Sequence, residues 1–581
     1  MIMQKTAILH IQEYPYCIVT GPDALTLRIR AAKDDIDQAF ICFKNLYDHT
    51  SEFQKVEMKR ILASALFDVY EATIKVPLKH FKYYFELIFG SAKIYYTSDG
   101  FLEIVAPENC FYYPNINSDE ILALPKWAEG ETIYQVLVDR FFDSDPSNNP
   151  PQTKPCKAIP DRNTYYGGDF GGIIAKLDYL ASYGVGIIYL SPVLKSPSYH
   201  KYDVEDYYTI ESIYGGKEKL RELTEEAHKR GMKVILDGVY GHCSCEHEFF
   251  RDLCEKNEKS PYRNWFEVYG FPVSVEKGNY NTFANVVPIM PKLNTANNEV
   301  IAYFAKQGAY WAKYLDIDGY RLDVADEISH TFWRQFRLSL EAVKKDALLL
   351  GEIWNQPTQW LKPGELHSAT NYKFRQYTLA LARNEIGTKK YASLIEEHLM
   401  TTSTMQQNYL ASLLGSHDTL RLANEIPERK TRFLIMKLML LMPGMPLIYY
   451  GDEISLAGGK DPDNRRAMDW NHMLTKEETE FREAAMFRKK SEILKKGSLN
   501  FLTSEEGLLV FTRELAAEEL IVIANFTDVS MDYEIEDEYK LVLGKIATIP
   551  GKIRLDAKEI AVLQMDKANN TLEKIKRREK G

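Results

Sequence analysis

Residues 317–323 read IDGYRLD and residues 347–352 read ALLLGE, two short apolar runs that each end in an acid, Asp323 and Glu352. Further runs of this kind are IYQVLV from residue 133, GIIYLS from 186, KVILDGV from 233, YLASLLGSHD from 409 and PLIYYGDE from 446. Amphipathic stretches such as residues 217–230 and 299–315 lie between them, as in alternating strands and helices. Repeated βα units imply a parallel sheet, and this many favour a (β/α)8 TIM barrel over a doubly wound sheet.

The segments on either side of the barrel have strand-like alternation. LTLRIR at residues 25–30 alternates with period two, which predicts an N-terminal β-sandwich. Alternation returns after residue 497, in LLVFTREL and LIVIANFT, and predicts a C-terminal β-sandwich. About eighty residues separate KVILD from IDGYRLD, too many for one helix, so we expect an inserted subdomain after the third strand. The predicted parts are residues 1–125, the barrel at 126–496 with the insertion at about 240–291, the C-terminal domain at 497–567, and a charged tail at 568–581.

Composition limits the classes of partner. A chain of 581 residues is too long for one compact core, and its net charge of −10 disfavours nucleic-acid or anionic-membrane partners, which need a basic face. The first sixteen residues do not resemble a secretory signal, and the longest apolar segment, residues 438–450, is too short to span a bilayer. Seven cysteines, an odd number, fit a reducing compartment, so we expect a cytoplasmic protein without a membrane or nucleic-acid partner.

A cysteine-rich stretch raises the alternative of a zinc site. Cys243, Cys245, His247 and Cys254 lie close together in the sequence. Their spacing is poor for a structural zinc site, and no second pair of ligands follows. We therefore do not expect zinc here.

Polar residues gather where the predicted barrel strands end. Asp237 and His242 follow the third run, Arg321 and Asp323 the fourth, Glu352 the next, and His417 with Asp418 the run after that. The C-terminal ends of barrel strands carry the active sites of such folds. Several acids around one opening repel each other unless their pKa values are pushed apart. Paired carboxyl groups with separated pKa values are what glycoside hydrolysis requires.

These motifs resemble a known family. DGVYGH (237–242), GYRLDVADE (319–327), GEIW (351–354) and GSHD (415–418) resemble the signature strands of glycoside hydrolase family 13, the α-amylase family. MPKLN (290–294) resembles the subgroup of neopullulanases, cyclomaltodextrinases and maltogenic amylases, and the N-terminal β-domain is similar to the one that this subgroup carries. The resemblance implies a retaining hydrolase of α-1,4-glucosidic bonds in cyclomaltodextrins, pullulan or maltooligosaccharides, with α-1,6 bonds left open.

The resemblance also assigns catalytic roles. It makes Asp323 the nucleophile, Glu352 the general acid/base and Asp418 a third acid that binds sugar hydroxyls. Arg321 precedes Asp323 by two residues, so on one strand both side chains face the same way and the cation would hold Asp323 ionised. The apolar run before Glu352 would keep that group protonated.

Substrate-binding residues are implied in the same way. Besides Arg321 and Asp418, the resemblance points to His242, His417, Tyr202 as a ring under the sugar, the pair Asp461 and Arg465, and Trp354 as an aromatic platform. The residue types alone would allow a core tyrosine at Tyr202 and an ordinary surface ion pair at Asp461 and Arg465.

The stretch FFDSDPSNNPP predicts a calcium site. It places Asp143, Asp145, Asn148 and Asn149 in one loop, and Gly167 and Asp169 could approach from YYGGD. Closely spaced oxygen ligands suit Ca²⁺, and a similar loop holds structural calcium in members of the subgroup. The alternative is that these residues only form turns.

The chain departs from the family pattern at four positions. Gly241 stands in place of Asn, Tyr320 of Trp, Asp326 of Asn, and Asn355 of His. None replaces an acid of the proposed reaction, so we expect changes in substrate preference or in the ratio of transglycosylation to hydrolysis.

Three further interpretations concern assembly and class. The N-terminal domain of the subgroup commonly builds a dimer, so we expect a homodimer. A glucanotransferase on the same barrel is the alternative enzyme. A non-catalytic glycan-binding relative would tend to have lost the acids, which this chain keeps.

Overall fold

The computed structural model describes residues 3–75, 77, 79–502, 505–535 and 539–565. The predicted charged tail lies outside the described residues. The chain divides into two compact units. The first comprises Met1–Leu124, Gln356–Glu365 and Ala392–Gln407, and the second comprises Pro125–Asn355, Leu366–Tyr391 and Asn408–Gly581.

Two antiparallel sheets make up most of the first unit. One contains Cys17–Gly21, Ala24–Ala32, Phe67–Lys75 and Lys59–Ala63, and the other contains Gln54–Glu57, Gln38–Asn45, Phe81–Phe89, Ala92–Thr97, Gly100–Leu102 and Phe111–Tyr113. Leu27 and Ile29 of the first sheet share a buried apolar cluster with Ile41 and Phe85 of the second. The predicted N-terminal β-sandwich is therefore confirmed. Arg28 of the same alternating run is also buried, because it donates to the carbonyl of Thr402 at 2.9 Å.

A closed barrel of eight parallel strands forms the centre of the second unit, within residues that are described without a gap. In order around the barrel, its strands are Thr132–Val136, Val185–Leu190, Lys233–Gly238, Gly319–Leu322, Leu348–Gly351, Ser368–Asn371, Ala411–Leu413 and Met445–Tyr449. The predicted (β/α)8 barrel is confirmed. The sixth strand was not among the apolar runs of the sequence, because three of its four residues, Ser368, Thr370 and Asn371, are polar.

Helices connect most of the barrel strands. The α-helices of the described chain are Phe170–Ala175, Leu177–Ser182, Gly216–Lys229, Glu248–Lys256, Asn298–Leu315, His330–Glu341, Tyr372–Ala382, Thr388–Leu399, Thr404–Gln407, Leu422–Glu425, Arg429–Leu441, Lys476–Lys490 and Glu492–Lys496. In Asn298–Leu315 the amphipathic pattern buries Phe304 and Trp311, and the Asn297 side chain caps the first turn by accepting from the amide of Glu299 at 2.8 Å. The helix ends at Leu315, Asp316 follows in the left-handed conformation, and the fourth barrel strand begins at Gly319.

The predicted insertion follows the third barrel strand. It contains the helix Glu248–Lys256 and a short hairpin of Thr282–Phe283 with Val287–Pro291. A second small hairpin, Leu194–Lys195 with Asp206–Ile210, lies between the second strand and its helix.

The C-terminal part of the second unit contains two antiparallel sheets. Their strands are Ser498–Phe501, Leu508–Leu515, Glu518–Asn525, Ile560–Met565 and Tyr539–Leu543 in one, and Met531–Glu534, Lys552–Leu555 and Ala547–Ile549 in the other. Ile523 and Leu563 of the larger sheet share a buried cluster with Ile553 and Leu555 of the smaller. A C-terminal β-sandwich was predicted here, and it is confirmed.

Candidate active site

The register of the barrel strands brings the predicted acids together. Asp237 of the third strand pairs with Arg321 of the fourth, and Leu322 pairs with Gly351 of the fifth. Gly319 allows this close approach, because a Cβ there would lie 2.1 Å from the carbonyl oxygen of Leu348, and its φ is +152°. Asp323 and Glu352 therefore leave neighbouring strands side by side at the C-terminal face of the barrel.

The guanidinium of Arg321 contacts three carboxyl groups. Its Nη1 lies 2.9 Å from Asp237 Oδ1 and 2.9 Å from Asp323 Oδ1, and its Nη2 lies 2.8 Å from Glu352 Oε1. The other oxygen of Glu352 accepts from the backbone amide of Val324 at 2.9 Å. The sequence had linked Arg321 with Asp323 on the same strand, and the structure adds a contact of similar length with Glu352.

Burial dominates the electrostatics of this cluster. It raises the pKa of Asp323 well above its ordinary value, a shift that Arg321 opposes and the neighbouring Glu352 reinforces. Burial also raises the pKa of Asp237, again opposed by Arg321. Burial alone would lower the pKa of Arg321, but the carboxyl groups of Asp237 and Glu352 raise it. With three acids around one cation, like-charge repulsion favours a proton held within the cluster.

Tyr202 and His417 form a second polar group beside the acids. Their rings are nearly parallel, with centroids 5.3 Å apart and an interplanar angle of 4°. Gln135 Nε2 donates to His417 Nδ1 at 2.8 Å, so the neutral imidazole carries its proton on Nε2, which lies 2.6 Å from the Tyr202 hydroxyl. That hydroxyl donates to Asp237 Oδ2 at 2.8 Å. A chain of hydrogen bonds thus runs from His417 to the Arg321 cluster.

Both histidines of the predicted set are held neutral. Burial lowers the pKa of His417 well below its ordinary value and that of His242 to about 3. His242 Nε2 lies 3.1 Å from the carbonyl of Tyr202, while its Nδ1 is buried and has no hydrogen-bond partner in the described chain. A sugar hydroxyl is the kind of group that would complete this pairing.

Asp418 contacts Arg465, one residue of the predicted pair Asp461 and Arg465. Asp418 Oδ2 lies 3.0 Å from His417 Nε2, and its Oδ1 lies 3.4 Å from Arg465 Nη2. Arg465 Nη1 in turn lies 3.2 Å from Asp461 Oδ1, and its Nε donates to the carbonyl of His417 at 3.0 Å. The pair is therefore part of this site and not an isolated surface ion pair.

These side chains line one pocket, a cavity of about 470 Å³ that is within the range of ligand sites. Among the predicted residues, Tyr202, His242, Asp323, Glu352, Trp354, His417, Asp418, Asp461 and Arg465 line it. Arg321 does not line this pocket and reaches it only through Asp323 and Glu352. Trp354 is 43% exposed and stacks on Tyr372 at 3.9 Å between centroids, which leaves its other face accessible.

Sequence reasoning missed several lining residues. They are Arg162, Tyr199, His200, Phe283, Val287, Ile289, Met290 and Val324. Tyr199 and His200 lie in the same HKYD-containing stretch as Tyr202, so that motif held a signal for them. Phe283, Val287 and Ile289 belong to the inserted hairpin, and their sequence carries no charge or motif that marks a binding role. Met290 of the same hairpin begins the MPKLN stretch, which did hold a signal.

The departures from the family pattern lie close to the site. The Tyr320 hydroxyl is buried and donates to the carbonyl of Gly308 at 2.8 Å, a structural contact. A Cβ on Gly241 would meet Val324 at 3.5 Å, ordinary contact distance, so a side chain could be accommodated there. Asp326 is half-buried, and burial raises its pKa.

The predicted calcium loop shows unpaired oxygen atoms. Asp143 Oδ1, Asn148 Oδ1 and Asn149 Oδ1 are buried and have no hydrogen-bond partner in the described part of the chain. Gly167 has a φ of +82°, and a Cβ there would lie 2.4 Å from Asn149 Oδ1, so only glycine allows this approach. Buried acceptors without partners are rare, and here three occur in one loop.

Two members of the predicted ligand set have other partners. The carboxyl group of Asp169 accepts from the amides of Ser144 and Asp145, from the Ser144 hydroxyl, and from the amide of Gly172 as the cap of a helix. Asp145 Oδ1 caps a short turn by accepting from the amide of Ser147 at 3.1 Å. Among the described residues, no three or more His, Cys, Asp or Glu side chains are arranged to hold a metal, so a cation here would combine the Asp143 carboxyl group with amide and backbone oxygens.

The cysteines and the helices add two observations. All seven cysteines are free thiols. In the described ranges, no helix combines the length and the apolar character needed to cross a bilayer.

A TIM barrel with paired acids around a buried arginine at its C-terminal face defines the class of carboxylate-dependent glycoside hydrolases. The family described as the α-amylase catalytic domain matches residues 135–495, and the α-amylase N-terminal Ig-like domain matches residues 3–117. This chain belongs to the α-amylase family of glycoside hydrolases.

Similar proteins extend over nearly the whole chain. A cyclomaltodextrinase of Thermoanaerobacter pseudethanolicus is 37% identical over 535 residues, which are 90% of this chain and 92% of that protein. Neopullulanase 2 of Thermoactinomyces vulgaris is 37% identical over 479 residues, 81% of each chain. A solved structure of a cyclomaltodextrinase, 30% identical, matches with a TM-score of 0.89 and covers 97% of this chain and 100% of that one.

Proposed function

We propose that this hydrolase cleaves α-1,4-glucosidic bonds of cyclomaltodextrins, pullulan and short maltooligosaccharides with retention of configuration. One observation carries the assignment: Asp323 and Glu352 line the same pocket and contact the same guanidinium through different nitrogens. Retaining glycosidases use two carboxyl groups that act on the same bond, and here both acids contact one arginine and line one pocket. Similarity to a cyclomaltodextrinase and a neopullulanase supports the substrate class.

In the proposed reaction Asp323 is the nucleophile. Its carboxylate attacks the anomeric carbon while Glu352 donates a proton to the glycosidic oxygen, so the leaving sugar departs as an alcohol. Glu352, now ionised, takes a proton from water, and the resulting hydroxide displaces Asp323 from the covalent glycosyl-enzyme. The contacts of Arg321 are equivalent for both acids, so this division of roles rests on family membership.

The other pocket residues bind the sugar. Asp418 is placed to accept from sugar hydroxyls, with His417 and Arg465 orienting its two oxygens. His242 offers its unpaired Nδ1, and Tyr202 offers a ring beside the reacting centre. Trp354 supplies an exposed aromatic face for a further sugar unit.

The direct test uses single variants at both acids with a matched control. The wild type, Glu352→Gln and Asp323→Asn are assayed in parallel on β-cyclodextrin, pullulan, starch and maltotriose, with product sizes and anomeric configuration followed over time. We expect hydrolysis to fall by more than about 10³-fold in both variants, and α-anomeric products from the wild type. Glu341→Gln, on an outer helix and paired with Arg337 at 2.6 Å, should behave as wild type.

Substantial hydrolysis by Glu352→Gln or Asp323→Asn would overturn the catalytic roles assigned to these two acids. If the wild type converts maltotriose mainly into longer oligomers, the enzyme is a transferase.

We also propose that the loop after the first barrel strand holds a structural Ca²⁺. Asp143, Asn148 and Asn149 would supply their unpaired oxygens, with the backbone near Gly167 beside them. Calcium prefers six to eight oxygen ligands, so water or further carbonyls would complete the set. Asp169 and Asp145 are left out because of their hydrogen bonds, and the ion would fix the loop rather than take part in the reaction.

We further propose that the protein is a homodimer and that it is cytoplasmic. The match of residues 3–117 to the family's N-terminal domain supports a homodimer, which light scattering of the purified chain would test. The free thiols support a cytoplasmic location, which cell fractionation would test.

A further inference from the structure

The Tyr199 hydroxyl forms hydrogen bonds to both residues of the Asp461–Arg465 pair. Its hydroxyl donates to Asp461 Oδ1 at 2.8 Å and accepts from Arg465 Nη1 at 3.0 Å. The direct contact between Asp461 and Arg465 is longer, at 3.2 Å. The side chain of Tyr199 is almost fully buried, at 2% exposure, and both of its hydrogen bonds are made to this pair. It is therefore placed to orient the pair without binding sugar through its own hydroxyl.

Arg140 lies against the ring of Tyr199. Its guanidinium carbon is 4.6 Å from the Tyr199 ring centroid and 4.7 Å from that of Tyr166. Arg140 is fully buried, pairs with Asp139 at 3.1 Å and donates to the carbonyl of Thr164 at 2.8 Å. Asp139 in turn accepts from the backbone amide of Tyr166 at 3.0 Å. The guanidinium is thus held from its edges, and its flat face is left as a support for the tyrosine ring.

We propose that Arg140 and Tyr199 are positioning residues for substrate binding: Arg140 fixes the ring of Tyr199, and the hydroxyl of Tyr199 fixes the side chains of Asp461 and Arg465. The effect extends to Asp418, because the 3.4 Å contact of Arg465 Nη2 with Asp418 depends on where the guanidinium lies. This inference rests on the proposed function in one respect, namely that Asp461 and Arg465 contact the substrate.

Loss of the hydroxyl has a defined structural consequence. Asp461 would lose a donor while Arg465 would lose an acceptor, and the carboxyl group of Asp461 also faces Arg162, whose Nη2 lies 3.7 Å from its Oδ2. Arg162 is 80% exposed in its side chain, so it can follow the carboxyl group and draw it away from Arg465. The pair would then be less well arranged for a sugar, while Asp323 and Glu352 keep their own contacts.

The test separates binding from chemistry. Tyr199→Phe should lower kcat/KM for maltotriose by about ten-fold, the loss expected for two hydrogen bonds of ordinary strength. The loss should appear as a rise in KM, while kcat stays within about two-fold of wild type. Tyr166→Phe is the matched control, because the Tyr166 ring also lies close to the Arg140 guanidinium, at 4.7 Å, but its hydroxyl donates to the carbonyl of Ala158 at 2.5 Å. Its KM should stay within about two-fold of wild type.

A double-mutant cycle tests the role of Arg140. Arg140→Lys keeps the charge beside Asp139 but loses the flat face, so it should raise KM in the wild-type background and add little in the Tyr199→Phe background. An equal effect in both backgrounds would overturn the assignment of Arg140. An unchanged KM in folded Tyr199→Phe, with hydrolysis intact, would overturn the inference about Tyr199 and Arg140 but leave the proposed function standing. Activity retained in Glu352→Gln would overturn the proposed function but leave the positioning role of Tyr199 and Arg140 untouched.

Discussion

Glu352 Oε1 lies 2.8 Å from Arg321 Nη2, so the proposed acid shares its only cationic neighbour in the described structure with the proposed nucleophile. The positive charge of Arg321 counteracts the burial that raises the pKa of Asp323. Loss of that charge should therefore shift ionisation of the nucleophile to higher pH.

The first prediction concerns this cation. In Arg321→Met, kcat/KM should fall by about 10²-fold or more, and the acidic limb of its pH profile should move to higher pH. Arg321→Lys keeps the charge but cannot reach all three acids, so it should lose rate with a smaller shift of the limb. pH–rate profiles on maltotriose, with melting curves to confirm folding, measure both effects. An acidic limb that stays in place in Arg321→Met would contradict the prediction.

The second prediction separates the ring of Tyr202 from its hydroxyl. Tyr202→Phe keeps the aromatic face but breaks the hydrogen-bond chain from His417 to Asp237. We expect kcat to fall by about ten-fold with little change in KM, because the acids lose support while the sugar keeps its platform. Tyr202→Leu should raise KM as well. Steady-state kinetics of the two variants on one substrate check this, and equal KM values for them would count against a platform role.

Much of the catalytic centre was predictable because it follows strand ends. Asp237, Asp323 and Glu352 each come directly at or after an apolar run, and parallel barrel strands end at one face whatever their exact lengths. The chain-wide pattern also predicted both β-sandwiches. The sixth barrel strand was missed because its short polar sequence carries no apolar period.

The contacts between distant segments could not be read from the sequence. The register that sets Arg321 against both Asp237 and Glu352 depends on how neighbouring strands align, which spacing along the chain does not fix. Tyr199 lies in a loop where its residue type alone suggests core packing. Asp169 looked like an oxygen ligand for calcium, but the helix that begins after it uses the carboxyl group as a cap. Such competition for one side chain is decided only when the loop is folded.

The third prediction concerns the loop of Asp143, Asn148 and Asn149. A structural cation binds only the folded loop, so a chelator should lower the melting temperature, and added Ca²⁺ should restore it. Asp143→Ala should melt lower and respond to neither addition. The control is Asp161→Asn, at another loop aspartate that pairs with Lys154 at 2.8 Å, and it should respond as wild type does. A melting temperature that excess chelator leaves unchanged would argue against a bound ion.

The fourth prediction concerns Glu453, a fully buried acid behind the last barrel strand. Its Oε1 accepts from the hydroxyls of Tyr134 at 2.5 Å and Tyr179 at 2.8 Å, while its Oε2 has no partner in the described chain. Burial raises the pKa of Glu453 to about 7 from the ordinary 4.5, against the opposing effect of these hydroxyls. The negative charge of the neighbouring Asp452 adds to the rise in the pKa of Glu453. The Asp452 carboxyl group itself pairs with Arg421 at 3.2 Å.

Because the folded state binds the proton of Glu453 more tightly than the unfolded chain does, its contribution to stability is complete below about pH 4.5 and is lost as the pH rises through about 7. The loss is on the order of 3 kcal/mol. Glu453→Gln stays neutral at every pH, so its melting temperature relative to wild type should rise steadily across this window. Glu255→Gln, at an exposed glutamate, should follow the wild-type curve. A constant difference between Glu453→Gln and wild type from pH 4 to pH 8 would show that Glu453 does not titrate in this range.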